Sequence, residues 1–390
     1  MLAIDCSKIE YRPTGPGRWL LNILRYWPGG FPARLYFRQR IPDYDFLHKD
    51  HFALCILSGL RSRSGCFGGV GHFAFSGVDP IWRHFLLPHS LKRDCIELLW
   101  EPFYIPLLRF PPEQTILSIA DISYKRHPEW FPWRSQLRWF PDRLVKRVRR
   151  IFTISEFSKR EIMDYYGIPE ERVTVTPLAA DEKFKPPNDP VVQLRISHTK
   201  YEIPNTKYLL FWGDLNTRRR PREMINAFTK YQIPNTKYQT RFVIVGRDIT
   251  NPPQYIRRRI QEANRALGRE AIIHYAYLSD DKLLRLIQGS LAVIYLSDYE
   301  GFGLPVLEAM ACGTPVITSR TSSLPEVGGD AAYYVQDNTD VTEIAAAMER
   351  LAENSELRKT LCDRGLKQAQ KFSWQKTARS TVEVLLRSLH

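Results

Sequence analysis

An α/β chain of two parallel-sheet domains is what this sequence predicts, and three observations carry the prediction. Its 390 residues exceed one ordinary domain and suit two, each large enough for a core of its own. The second half alternates short β-branched apolar runs with amphipathic stretches, which calls for a parallel sheet covered on both faces. The first residues read as strand, glycine turn and helix, the opening of a Rossmann-like unit.

In the first half, residues 2–6 form the expected first buried strand. A loop ends in Thr14-Gly15-Pro16-Gly17-Arg18, and a helix runs over 19–26. Strands are expected at 33–38 and 95–99. Residues 64–71 make a glycine-rich loop that lacks the Lys-Ser/Thr ending of a phosphate-binding P-loop. Asp43-Tyr44-Asp45 has the form of a D-x-D metal motif but reads as surface charge, and His48 and His51 have no companion ligands at zinc spacing. A buried strand at 115–120 leads into Asp121 and a loop, His127-Pro128-Glu129-Trp130-Phe131-Pro132. A basic helix over 134–150 precedes a strand at 151–154. Ser155 stands where an N-cap belongs, and Ser158 begins a capping-box pattern with Glu161. A strand at 173–177 ends the first domain, and Pro186, Pro187 and Pro190 mark a linker. The expected division is 1–185 with 374–390, and 186–373.

In the second half, strands are expected at 208–212, 242–246, 272–275 and 291–296, with helices at 221–231, 253–266 and 280–288 between them. Helices at 341–353 and 357–371 follow, then a last helix opening at Phe372-Ser373-Trp374. The nonapeptide at 200–208 recurs at 230–238 with one change, a local duplication too small to make a solenoid.

Composition is that of a soluble globular protein. The net charge of +14 is spread through both halves, and its densest excess, 134–150, is interleaved with Trp139 and Phe140 and follows Trp130, Phe131 and Trp133. A basic, aromatic element of this kind suits anionic lipid headgroups or a solvated helix face. Nucleic acid is disfavoured, because no RNP, zinc-finger or helix-turn-helix pattern accompanies the charge. The six cysteines show no C-x-x-C pair, so neither zinc nor a disulfide framework is suggested. The N-terminus lacks a signal-peptide pattern, and the most apolar long stretch, 96–110, is interrupted by Glu97, Glu101 and Arg109, so no membrane span is expected.

The functional information concentrates after the apolar run at 291–296, where the chain reads Glu300-Gly301-Phe302-Gly303-Leu304-Pro305 and enters a helix carrying Glu308. The two glycines let the backbone approach something bulky, and Pro305 suits a first helical turn whose N–H would be unpaired anyway. Free amides and the positive end of the helix dipole make a seat for phosphate oxygens. Glu300 and Glu308 bracket that seat, and each suits hydroxyls, as a sugar or ribose offers, because a carboxylate repels a diphosphate. Gly213-Asp214-Leu215-Asn216-Thr217-Arg218-Arg219-Arg220 places cations at the carboxyl end of a parallel strand, where such sheets bind ligands.

The Glu300–Glu308 string resembles the E-x7-E donor-binding motif of the GT4 family of retaining glycosyltransferases, which have the GT-B fold. Gly15, Gly17 and Arg18 resemble that family's Gly-Gly-x-Gly-Arg turn, which borders the donor's diphosphate, with Pro16 a departure. Arg218 and Arg219 resemble its Arg-Lys diphosphate clamp, with arginine in place of lysine. The Ser155-Glu156-Phe157-Ser158-Lys159-Arg160-Glu161 run, the His127–Phe131 loop and the segment around Pro325-Glu326-Val327 are also similar. Ala120 stands where many relatives carry histidine, which puts that residue's contribution in doubt and leaves Asp121 to orient hydroxyls.

The resemblance implies two Rossmann-like domains facing a cleft, with the last helix crossing back to the first. The first domain would take the acceptor and the second the donor. Glu300 would face the transferred hexose and Glu308 the ribose. Gly301, Phe302, Gly303 and Leu304 would hold diphosphate and sugar hydroxyls through their backbone, and Leu278 would meet the base. The implied activity is retaining transfer without metal or cofactor, first from GDP-mannose and next from a UDP-hexose. The acceptor would be a saccharide or lipid-linked saccharide in cell-surface polysaccharide synthesis. A cytoplasmic chain touching the inner membrane face through 130–150 fits that reading. A non-catalytic GT-B donor-binding subunit and a sugar-nucleotide epimerase are the alternatives.

Overall fold

The computed structural model describes residues 1–9, 15–57, 82–102, 106–131, 142–187, 207–233 and 240–389. The chain divides into two compact units. One comprises Met1–Ile122, Trp139–Leu178 and Trp374–His390, and the other Ser123–Arg138 and Ala179–Ser373.

In the first unit, β1 (Leu2–Asp5), β2 (Ala33–Phe37), β3 (Phe52–Ile56), β4 (Leu98–Glu101), β5 (Thr115–Ser118), β6 (Arg150–Thr153) and β7 (Val173–Val175) form one parallel sheet in the order β3-β2-β1-β4-β5-β6-β7. The central strands are apolar because both faces are covered: every residue of β1, β4 and β5 is buried. Strand order reverses between β1 and β4, whose registers align Ala3 with Leu99. The sequence reading does not include β3, an edge strand only partly buried and therefore weakly patterned. It places β4 three residues early; Cys95 instead lies in a turn with φ 52° after the helix Leu87–Arg93.

The opening turn also differs from expectation. The helix begins at Gly15 and runs to Arg25, so Gly15, Pro16, Gly17 and Arg18 are its first turn and not the end of a loop. Proline is tolerated there because first-turn amides have no intrahelical acceptor. In the helix Glu156–Tyr166, Ser155 Oγ accepts the Ser158 amide at 3.0 Å, so Ser155 is the cap and Ser158 the capped third residue. The expected pairing of Ser158 with Glu161 is therefore not the capping contact. Gly167, at φ 62°, closes the helix in the left-handed conformation.

The described part of the basic segment is one helical turn, Asp142–Val145, and not a long helix. Arg147 pairs with Glu113 at 2.7 Å, and Arg150 already belongs to β6. Trp133, Trp139 and Phe140, the glycine-rich loop at 64–71 and most of both nonapeptide copies lie outside the described residues. The last helix, Trp374–Arg387, belongs to the first unit, where Thr377 Oγ1 donates to the Pro177 carbonyl at 2.6 Å.

In the second unit, β8 (Tyr208–Trp212), β9 (Arg241–Val245), β10 (Ile272–Tyr275), β11 (Ala292–Tyr295), β12 (Val316–Ser319) and β13 (Tyr333–Val335) form a second parallel sheet in the order β10-β9-β8-β11-β12-β13. Helices Pro221–Gln232, Ile256–Ala266, Asp280–Gly289, Leu304–Ala311 and Val341–Glu353 alternate with these strands. Order reverses between β8 and β11, both fully buried. The loops leaving those two strands therefore diverge, and the crevice at their carboxyl ends is where an open α/β sheet binds ligands.

Candidate active site

The site grows from those two loops. After β8 the chain turns at Gly213, whose φ of 121° and a Cβ position 2.9 Å from Arg219 Nη1 leave room for no side chain. Asn216 Oδ1 then caps the short turn Thr217–Arg219 by accepting the Arg218 amide at 3.2 Å. After β11 the chain passes Ser297, Asp298 and Tyr299 to Glu300. Gly303 at φ 101° starts the helix Leu304–Ala311, and a Cβ there would sit 2.7 Å from Leu324 Cδ2. The Val306 amide bonds the Gly303 carbonyl at 2.9 Å and Pro305 has no N–H, so the amides of the turn at Gly303 and Leu304 have no intrahelical acceptor.

The two loops are joined by charge. Glu300, 8% exposed, accepts at one oxygen, Oε1, from Arg218 Nη1 at 2.5 Å, Arg219 Nε at 3.0 Å and the Tyr295 hydroxyl at 2.9 Å. Arg218 Nη1 also reaches Ser297 Oγ at 3.1 Å and the Tyr299 carbonyl. Arg219 Nη1 donates to the Asp214 carbonyl at 2.9 Å, and its guanidinium lies 5.4 Å from the centre of the Tyr295 ring. Arg220 pairs with Asp298 at 2.7 Å, and Asn338 Nδ2 donates to the same carboxylate oxygen at 2.9 Å.

The electrostatics follow from this packing. Burial alone would raise the Glu300 carboxyl, but the Arg218 and Arg219 guanidiniums outweigh it and pull the group down to about 2. Burial works against the Arg219 charge, yet Tyr295 and Glu300 beside it leave its guanidinium raised. Burial pushes the Tyr295 phenol well above its ordinary range, so it stays a neutral donor. Arg218 Nε is buried with no hydrogen-bond acceptor among the described residues. An arginine edge in that state is poised for an anionic oxygen.

Serines from the loop after β12 hold the Glu300 backbone. Its amide donates to Ser322 Oγ at 2.9 Å, and its carbonyl accepts from Ser323 Oγ at 2.8 Å. The segment that follows residue 122 also packs here, within the second unit. His127 stacks on Trp130 at 3.9 Å and meets the edge of Tyr299 at 5.7 Å, while Asn251 Nδ2 donates to the Glu129 carbonyl at 2.7 Å.

The structure thus brings together Arg218, Arg219, Glu300, Gly301, Phe302, Gly303 and Leu304. Glu308 lies half-buried one turn along the same helix, below Leu304 on its face. Leu278, half-buried, follows β10 in the same unit. Asp121, Gly15 and Gly17 belong to the first unit, Asp121 after β5 and the glycines in the first helical turn after β1. Reasoning from sequence gave no individual role to Tyr295, Ser297, Asp298, Asp214 or Arg220. Only the run of three arginines hinted that nearby carboxylates must balance them.

A parallel α/β unit with paired guanidiniums and a glycine-turned helix at its switch point is suited to an anionic ligand. Residues 195–368 match the family described as glycosyl transferases group 1. The chain is 31% identical over 391 residues to the O-antigen chain mannosyltransferase B of Escherichia coli, covering 96% of each protein. It is 30% identical over 246 residues to the serotype-specific mannosyltransferase WbdA of Escherichia coli, covering 63% of this chain and 29% of that one. Among solved structures, WaaG, a glycosyltransferase involved in lipopolysaccharide biosynthesis, aligns with a TM-score of 0.69 at 15% identity over 98% of this chain and 99% of its own. Anabaena HepE in complex with UDP and glucose aligns with a TM-score of 0.68 at 17% identity over 98% of each chain. These structural likenesses establish the GT-B fold. The chain belongs to the glycosyl transferases group 1 family and is a glycosyltransferase.

Proposed function

We propose that this glycosyltransferase moves a hexose, mannose first, from a nucleotide diphosphate sugar to a saccharide or lipid-linked saccharide acceptor in cell-surface polysaccharide synthesis, with retention of configuration. The observation that carries the reading is the Arg218–Glu300–Arg219 cluster at the switch point, with Arg218 Nε buried and unmatched. Mannosyltransferase relatives favour GDP-mannose as donor, with a UDP-hexose as the other choice.

In this reading the diphosphate lies against the start of the helix Leu304–Ala311, between the Gly301–Leu304 amides and the unmatched Nε of Arg218. Both guanidiniums and the helix dipole then stabilise the charge that grows on the leaving phosphate. The second oxygen of Glu300 takes a hexose hydroxyl, since Oε1 already serves three donors. Glu308 takes the ribose, and Leu278 meets the base. Acceptor recognition falls to the first unit, with Asp121 as its contributor, while the resemblance gives Gly15 and Gly17 to the donor's diphosphate. Ordering donor and acceptor in reacting geometry supplies the rest of the rate.

A thermal-shift screen with GDP, UDP and their sugars tests the donor, because a ligand of the folded state raises the melting temperature by mass action. Glu308→Ala should then raise the donor KM by about tenfold or more with kcat little changed; unaltered kinetics would remove Glu308 from the site. A cytoplasmic enzyme resting on anionic lipid is the reading for the exposed Arg143, Lys146 and Arg149. Lys146→Glu with Arg149→Glu should reduce sedimentation with anionic liposomes, and retained binding would count against that contact.

A further inference from the structure

One buried titratable side chain in the second unit touches both halves of the charge cluster yet has no role of its own in the scheme above. Tyr295, the last residue of β11, is fully buried. Its hydroxyl donates to Glu300 Oε1 at 2.9 Å, and one ring faces the Arg219 guanidinium at 5.4 Å. Phe211 of β8 stacks on that ring at 5.9 Å with an interplanar angle of 11°. The ring of this β11 residue is therefore packed against β8 at the switch point, and it cannot move without disturbing the sheet.

We propose that Tyr295 is a positioning residue of the transfer reaction: its hydroxyl fixes one oxygen of Glu300 and its ring fixes the Arg219 guanidinium, so the cluster is set before donor arrives. This rests on the donor-site reading above. The physical need is plain. Arg218 is held on a second side by Ser297 and the Tyr299 carbonyl and Arg219 by the Asp214 carbonyl, so what a third, rigid donor fixes is the carboxylate oxygen that the two guanidiniums share. Cation–π contact on the buried face limits Arg219 from the other side. With Oε1 held in this way, the second Glu300 oxygen is aimed by the backbone and not by the ligand.

The reading separates positioning from stability. Tyr295→Phe keeps the ring and the Phe211 stack and loses only the hydroxyl; Tyr295→Leu loses both contacts. Tyr208→Phe is the control, because Tyr208 is another tyrosine of the same sheet whose hydroxyl donates to a backbone carbonyl, that of Leu286 at 2.9 Å. Steady-state kinetics with the nucleotide sugar that the wild-type protein uses should show kcat lowered about tenfold in Tyr295→Phe, with donor KM within about threefold, and a larger loss in Tyr295→Leu. In the ligand-free protein, the Arg219 Nε–H signal in nitrogen-15 spectra should exchange about tenfold faster in Tyr295→Leu. Tyr208→Phe should lose thermal stability with neither change. An Arg219 signal that exchanges at the wild-type rate overturns the proposal, as does a Tyr295→Phe enzyme with wild-type kcat. Should the wild-type protein transfer from no nucleotide sugar, the donor reading fails, while the Arg219 exchange still decides whether Tyr295 holds the cluster.

Discussion

The Asp298 amide donates to the Arg218 carbonyl at 2.8 Å. This one backbone bond ties the loop after β8 to the loop after β11, so the guanidiniums of the first loop cannot drift from the carboxylate of the second. The ion pairs of Arg218 and Arg219 with Glu300, and of Arg220 with Asp298, then close over a frame that the backbone already fixes.

Glu300→Gln should abolish most transfer, because two neighbouring guanidiniums lose the charge that balances them. Leaving buried charge uncompensated costs about 3 kcal/mol or more. Transfer assays and urea unfolding at neutral pH check both effects.

Acid should expose the same pair. The folded-state value of the Glu300 carboxyl is depressed to about 2 from an ordinary value of 4.5, so its stabilisation is fully present above about pH 5 and is lost as pH falls toward 2. The stability gap between wild type and Glu300→Gln should therefore narrow by about 2 kcal/mol between pH 5 and pH 3. A gap that stays constant in urea titrations across that window would show that the guanidiniums do not hold this carboxylate.

Gly303→Ala should destabilise the second unit by about 2 kcal/mol, since alanine must adopt a left-handed conformation with its Cβ against Leu324. The helix start would shift with it, so donor KM should rise as well. Thermal melts and donor titration read the two effects separately.

Arg218→Lys should be far from conservative. Arg218 Nη1 reaches Ser297, Tyr299 and Glu300 while its Nε edge stays open, and one ammonium cannot serve both directions. A loss of about tenfold to a hundredfold in kcat/KM is expected, with Arg219→Lys milder because, among the described residues, Arg219 bonds only Glu300 and the Asp214 carbonyl, where Arg218 Nη1 bonds Ser297, Tyr299 and Glu300.

Much of the second unit was legible in the order of residues. The strands at Tyr208–Trp212 and Ile272–Tyr275 and the helix Val341–Glu353 lie where periodicity puts them, because long apolar runs bounded by turns leave little choice. The first unit was less so. Edge strand β3 is half solvated and unpatterned, and the Gly15–Arg18 turn reads as loop because glycine and proline hide a helical first turn.

The chain by itself determined the chemistry available: paired arginines after one strand, and a carboxylate, two glycines and a proline after another, each fixed by its neighbours in sequence. Which groups face one another was decided only by tertiary structure. The reversal of strand order sets β8 beside β11, and that adjacency makes Glu300 a partner of Arg218 and Arg219, which sequence spacing could not pair with it, while Tyr295 reaches it from the end of its own strand. Short-range propensity fixes where a turn begins, but the pairing of strands distant in the chain is settled by burying both faces of one sheet.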